Sequence, residues 1–302
     1  LSSAASDVYK RQVENQKAGA RVEVDTEKRN PHDFAVWIKA PENHLMKWDS
    51  PWGPSYPGWH IECSVMSQKY LGEVFDIHTG GIDLIPTHHE NEIAQSKGMC
   101  GKIPANYWMH GEFLLINGGK MSKSLGNVYL LQDIVDRGYD PLVYKLFCYS
   151  IQYRKKLNFT WEGMDSAKIA LDRLREAYQK HLTGTEDVAE ELISKYEKDF
   201  NEAINDDLNM PVAMSVVWEV AKRTEKSKKV AELLKKFDRV LGIKIDEHKE
   251  EEIPDDIKEL LTKRVEARKN KDWAESDKIR DIIKEKGYIV KDSKEGQTVE
   301  KC

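Results

Sequence analysis

The sequence predicts an α/β unit followed by an all-α half, and two observations carry that prediction. Up to Ile116, short apolar runs that read as strands alternate with segments that read as helices, the order of a parallel α/β sheet. Beyond Asp140-Pro141, apolar residues recur at spacings of three and four, as in Ala170, Leu171, Leu174 and Tyr178, which marks packed helices. A chain of 302 residues has room for two or three domains with cores of their own. A third of the residues are charged, yet the net charge is only −5, which argues against a basic coat and against a disordered acidic tail. Any nucleic-acid site must therefore be local. Cys63, Cys100, Cys148 and Cys302 show no disulfide spacing, which fits a reducing cytoplasm, and no apolar run approaches membrane-spanning length.

Taken in order, the opening LSSAASDVYKRQ has neither an apolar signal core nor a clear link to the residues after it, so residues 1–12 are expected to be a non-native leader. A strand is expected over Phe34 to Ile38, and Trp48 to Gly58 is so rich in turn formers that it reads as a loop. There follow a helix over Trp59 to Tyr70, a strand over Val74 to Thr79, a glycine turn, a helix over His88 to Lys97 and a strand over Tyr107 to Ile116. Ligands of parallel sheets gather at the carboxyl ends of the strands, so the loops after Thr79 and Ile116 are the places to look. Asp140 as an N-cap and Pro141 at the first helical position open a helix over Leu142 to Tyr149. Further helices are expected over Asp165 to His181, Val188 to Ile204, Met210 to Arg223 and Val230 to Leu241. After an acidic linker come a pair at Ile257 to Lys269 and Asp272 to Lys286, then a hairpin from Gly287 to Val290 and Asp292 to Thr298.

Two groups of residues can carry chemistry. Cys63 in GWHIECS, with His88 and Glu92 in HHENE, combines thiolate, imidazole and carboxylate, and His88 and Glu92 share a face if a helix begins near His88. That donor set favours zinc over calcium or magnesium, although a helix start with a surface histidine pair and a buried cysteine would give the same letters. No fourth ligand is evident. In GKMSKSLGN, residues 119–127, Lys120 and Lys123 supply charge, Ser122 and Ser124 hydroxyl donors, and Gly118, Gly119 and Gly126 a loose backbone. Such a loop suits phosphate groups, although it is no P-loop and a solvated turn has a similar composition.

Lys120-Met-Ser-Lys-Ser124 reproduces the KMSKS signature of class I aminoacyl-tRNA synthetases. Together with WDSPWGPSYPGWH, GWHIECS, FDIHTGGIDLIPTHHENEIAQS, NYWMHGEFLLINGGKMSKSLGN and the tail ARKNKDWAESDKIRDIIKEKGYIVKDSKEG, it resembles the cysteinyl-tRNA synthetases over Val13 to Thr298. The resemblance implies the second half of a Rossmann-like catalytic domain over 13–127, a stem-contact region over 128–164, a helical bundle over 165–245, a linker over 246–256 and an anticodon-binding unit over 257–302. It implies one zinc per subunit on Cys63, His88 and Glu92, which the substrate thiolate would join, separating cysteine from serine without editing. Trp59, His78 and Asp83 would line the amino-acid pocket. Lys123 and Lys120 would act on ATP, brought with Mg2+, and Ser122 and Ser124 would help to hold it.

The implied reaction joins L-cysteine to ATP as an adenylate and passes it to tRNA(Cys), in the cytoplasm, by a monomer with no membrane partner. Trp273 would stack on an anticodon base, or else fill the core between the last two helices, and the closing GQTVEKC lacks the family's usual tryptophan. The HIGH signature and the zinc cysteine before it are absent, so an N-terminally truncated enzyme is expected, unable to form adenylate alone and weak in its hold on zinc. Two alternatives remain: the related ligase that joins cysteine to an aminoglycoside sugar in thiol biosynthesis, and a non-catalytic tRNA-binding module.

Overall fold

Glycines and prolines set the first turns of the chain. In the computed structural model, which describes residues 28–30, 33–247, 254–293 and 296–301, strand β1 (Trp37–Lys39) pairs antiparallel with β2 (Ser55–Pro57). The expected leader over 1–12 and residues 248–253 of the expected linker lie outside the described residues. Strand β2 occupies the end of the stretch read as loop, because Gly53 at φ +93° turns the chain back and Ser50 Oγ donates to Gly53 O at 2.6 Å. The chain divides into two units, 1–247 and 248–302.

In the first unit, helix α1 (Trp59–Leu71) leads to β3 (Phe75–Gly81), and a 3₁₀ turn (Ile82–Leu84) and a π turn (Ile85–His89) lead into α2 (Glu90–Cys100). Strand β4 (Ala105–Gly111) runs parallel to β3 with His78 opposite Trp108. The strand expected over Tyr107 to Ile116 is interrupted: past Gly111 the chain leaves β3, Glu112 N donates to Tyr153 O, and β5 (Leu114–Ile116) begins a second sheet. There β5 pairs with β6 (Gly119–Lys120) and, in parallel, with β7 (Leu157–Phe159), so the single parallel sheet read from the sequence is two small sheets. Helix α3 (Leu131–Asp136) and β7 are too short to show a period in the sequence.

The helical part forms as its caps dictate. Asp140 accepts from Leu142 N at 3.0 Å and Pro141 opens α4 (Pro141–Cys148), as expected. Helix α5 (Trp161–Leu182) starts four residues before the expected Asp165, because the Thr160 hydroxyl accepts from Gly163 N. It packs with α6 (Glu190–Asn205), α7 (Met210–Ala221) and α8 (Lys228–Leu241) around Leu171, Leu174, Phe200, Val217, Leu234 and Phe237, all buried. Phe200 and Phe237 stack at 4.1 Å. Each such side chain contributes about 1.5–3 kcal/mol by leaving water.

The second unit holds α9 (Asp255–Lys269), α10 (Trp273–Glu285) and the antiparallel pair β8 (Tyr288–Ser293) and β9 (Gly296–Lys301). Asp292 lies within β8 rather than after it. Its apolar core is small, built on Ile257, Ile279 and Ile283. The Arg264 guanidinium, 2% exposed, bonds both Asp292 oxygens and Gln297 Oε1. No helix among the described residues is long and apolar enough to cross a membrane.

Candidate metal centre and lysine loop

Three elements bring the expected metal ligands together. Cys63 sits on α1, His88 in the π turn and Glu92 in the first turn of α2, and their donor atoms all lie within 4.8 Å of one another. The π turn is what the sequence did not disclose: it carries both His88 and His89 inward, at 3% and 1% exposure, where a helix beginning at His88 would leave part of the pair at the surface. His88 Nε2 is 3.2 Å from Glu92 Oε1, and Glu92 Oε1 is buried without a hydrogen bond among the described residues. An orphaned carboxylate oxygen beside an imidazole and a thiol fits a cation such as zinc. The other ring nitrogen of His88 is 2.8 Å from His60 Nδ1. Burial and the neighbouring His88 lower the His60 pKa, so a neutral His60 can accept from His88 and fix its tautomer, as ligating histidines require. Burial and the Glu92 carboxylate push the Cys63 thiol up to about 11. A divalent ion beside the sulfur would reverse that direction.

Glu92 faces two ways. His78 Nε2–H donates to Glu92 Oε2 at 2.6 Å, and His78, His89 and Glu92 form a second group whose donor atoms lie within 4.8 Å. His89 Nδ1 is 2.8 Å from His110 Nε2, and its ring lies against Trp108. Burial, then the neighbouring His78 and His110, lower the His89 pKa to about 3, so this imidazole stays neutral. Trp59 is 58% exposed with its ring 4.1 Å from that of His88, which makes it a wall of the site and not a core residue. Asp83 stands in the 3₁₀ turn after the Gly80-Gly81 end of β3. Sequence reasoning passed over His60, His89 and His110, although each stands beside a quoted motif: GWH, HHE and MHG.

The lysine loop is tied at both ends. Asn117 and Gly118, at φ +48° and +78°, make the two-residue turn of the β5–β6 hairpin, a use that the Asn-Gly pair signals in sequence. Gly118 is thus spent on the turn rather than on a phosphate cradle. Ser122 N donates to Asn127 Oδ1 and Asn127 Nδ2 donates to Lys120 O, both at 2.9 Å, so one amide side chain closes the loop into a ring. Lys120, Lys123 and Ser124 are exposed, and neither lysine has an ion pair among the described residues. Ser122 and Ser124 hydroxyls are 3.1 Å apart. No hydrogen bond or ion pair among the described residues joins the loop to the Cys63, His88 and Glu92 group.

The family of class I (C) tRNA synthetase catalytic domains matches residues 3–169, more than half of the chain, and the cysteinyl-tRNA ligase anticodon binding domain matches residues 250–299. The chain belongs to the cysteinyl-tRNA synthetase family. A DALR domain matches residues 199–246, from within α6 to just past the end of α8. The chain is 43% identical over 286 residues to cysteine–tRNA ligase 1 of Burkholderia lata, covering 93% of this chain and 60% of that protein. It is 44% identical over 299 residues to the cysteine–tRNA ligase of Bacillus cereus strain B4264, covering 92% and 63%, and 42% identical over 313 residues to that of Treponema denticola, covering 93% and 64%. The chain thus spans less than two thirds of the length of these family members. A solved LeuRS of Agrobacterium radiobacter K84, in ternary complex with tRNA and LeuAMS, gives a TM-score of 0.49 at 15% identity, over 66% of this chain and 32% of that one.

Proposed function

We propose that this chain carries the cysteine-selecting and tRNA-facing parts of a cytoplasmic cysteine–tRNA ligase, which activates L-cysteine with ATP and transfers it to tRNA(Cys). The observation that carries the reading is the convergence of Cys63, His88 and Glu92, with the buried Glu92 Oε1 left without a hydrogen bond among the described residues. Zinc held by these three residues would supply a Lewis acid that prefers a substrate thiolate to a hydroxyl. His60 holds the His88 tautomer, and His78 holds Glu92 through its second oxygen. The exposed Trp59 ring covers His88 on its open side, and Asp83 at the end of β3 would take the substrate ammonium. Lys120 and Lys123, without an ion pair among the described residues, would meet the ATP phosphates with their Mg2+ and offset the charge that spreads over oxygen as the adenylate forms. Trp273, 59% exposed at the start of α10, offers a face for a base and does not fill the core. The match to an anticodon binding domain supports tRNA over an aminoglycoside sugar as acceptor.

Melting of the zinc-loaded chain tests the amino-acid half of this reading. L-cysteine at millimolar concentration should raise the Tm by several degrees and L-serine should not, and Cys63→Ser should abolish both zinc retention and the shift. Equal shifts with the two amino acids would overturn it.

A further inference from the structure

Glu92 presents its two carboxylate oxygens to two different sets of ligands. Oε1 stands 3.2 Å from His88 Nε2 on the Cys63 side, and Oε2 stands 2.6 Å from His78 Nε2 on the other. On that second side His78, His89 and Glu92 hold their donor atoms within 4.8 Å of one another, two imidazoles and one carboxylate with no sulfur. Catalytic zinc sites use three such protein ligands and keep a fourth position open. The surroundings support the group. His89 is 1% exposed, and its Nδ1 is 2.8 Å from Nε2 of the buried His110. An N–H donated there leaves a lone pair on His89 Nε2, across the ring from His110, which is how an outer bond fixes the tautomer of a ligating histidine. Trp108, 1% exposed, packs against His78 and His89 with ring centroids at 4.8 and 5.0 Å. Gly80 gives the His89 ring its place beside β3, since a Cβ there would come within 2.9 Å of His89 Nε2. His78 is the part-exposed member, its side chain 21% open to solvent.

We infer that His78, His89 and Glu92 form a second divalent-ion site, for Zn2+ or Co2+, bridged to the Cys63–His88 site through the Glu92 carboxylate, and that filling it closes the amino-acid pocket. Imidazole nitrogens suit these ions better than they suit calcium or magnesium. The ion replaces the proton that His78 Nε2 shares with Glu92 Oε2, and that proton passes to water. With metal–ligand bonds of about 2.0–2.1 Å these two donor atoms must part to about 3.3 Å, a shift within reach of one part-exposed side chain. The second ion binds more weakly than the first, because two dications share one carboxylate and the second site has no thiolate. Drawn onto the ion, His78 no longer serves the pocket, so excess zinc competes with L-cysteine. The closure rests on the reading of His78 as a pocket residue; the site itself does not.

Equilibrium dialysis of the metal-free chain against Zn2+ up to about 100 μM tests the site. Two ions should bind, the second at least tenfold more weakly. With Co2+ in place of Zn2+, the first ion should bring a thiolate charge-transfer band in the near ultraviolet that Cys63→Ser removes, and the second should add visible d–d bands alone. His89→Phe, which keeps a ring against Trp108, should lose the second ion and keep the thiolate band. Should that variant fail to fold, His78→Ala at the part-exposed position gives the same readout. The rise in Tm with L-cysteine should at least halve between one bound ion and two. One ion in the parent chain, a second ion that survives both substitutions, or a second thiolate band, which would place the ion on Cys100 or Cys148, would each overturn the site. A cysteine shift that holds its size with two ions bound would overturn the closure. No cysteine shift at any loading, with the second ion bound and then lost in the variants, would support the site and count against the cysteine reading.

Discussion

At Gly80 there is no room for a methyl group. A Cβ built there would lie 2.7 Å from the His89 ring and 2.8 Å from Leu84 Cδ1, so Gly80→Ala should cost about 1–3 kcal/mol and displace His89 from His110. Thermal melting of the two proteins checks the loss. The glycine was visible in HTGGID, but its reason was not, since the need comes from a histidine nine residues on that only the π turn brings back over it. His181 is a second case. Fully buried, it donates from Nε2 to Ala221 O at 3.1 Å and faces the Ser227 N–H with Nδ1, an arrangement for a neutral ring, and burial lowers its pKa. The unfolded chain takes up a proton near the ordinary histidine pKa of about 6.5 while the folded chain resists, so stability falls as pH drops through that value. Replacing His181 by Gln should flatten the slope of Tm against pH between 7.5 and 5, against a background that His60 and His89 contribute in the same direction.

Elements whose ends carry their own signals were legible: Asp140-Pro141 gave α4, and the three-and-four stripe gave α5, with Leu171 and Leu174 fully buried. Elements held from afar were not. The link between residues 152–154 and the α6–α7 turn is such a case. Asp207 accepts from Arg154 Nε at 2.5 Å, Tyr153 OH at 2.8 Å and Gln152 Nε2 at 3.3 Å, while sitting at φ +54°. Arg154 first, then the other donors, hold its carboxyl below the usual range. Asp207→Ala loses all three donors and keeps the strained backbone, so it should cost about 1–2 kcal/mol. Asp207→Gly, which relaxes the strain, should cost less, and urea melts of both variants give the order. An equal loss in the two would mean that the backbone plays no part.

For the chain as a whole, the sequence showed that a catalytic unit precedes helices and a small terminal unit, because KMSKS, the histidine motifs and the charged tail each carry local signatures. It did not show that the parallel strands fall into separate sheets, since sheet membership depends on partners far along the chain. The terminal unit is small enough for one contact to decide its fate. With a core built on Ile257, Ile279 and Ile283, Asp292→Ala would strand the Arg264 guanidinium, whose Nε lacks a partner among the described residues, and should cost about 2 kcal/mol after allowance for the half-exposed Asp292. Faster amide exchange across α9 and α10 would register the loss; unchanged exchange would show that Gln297 suffices. On the proposed reading of this unit as one that meets tRNA, the same clamp bears on how an affinity for RNA should be read. Dissolved salt weakens phosphate contacts by restoring counterions, and it also screens the solvent-facing side of the Arg264, Arg268 and Asp292 cluster. A plot of log affinity against log salt for this unit therefore sums released ions and a loosening fold, and its slope overstates the number of phosphates touched.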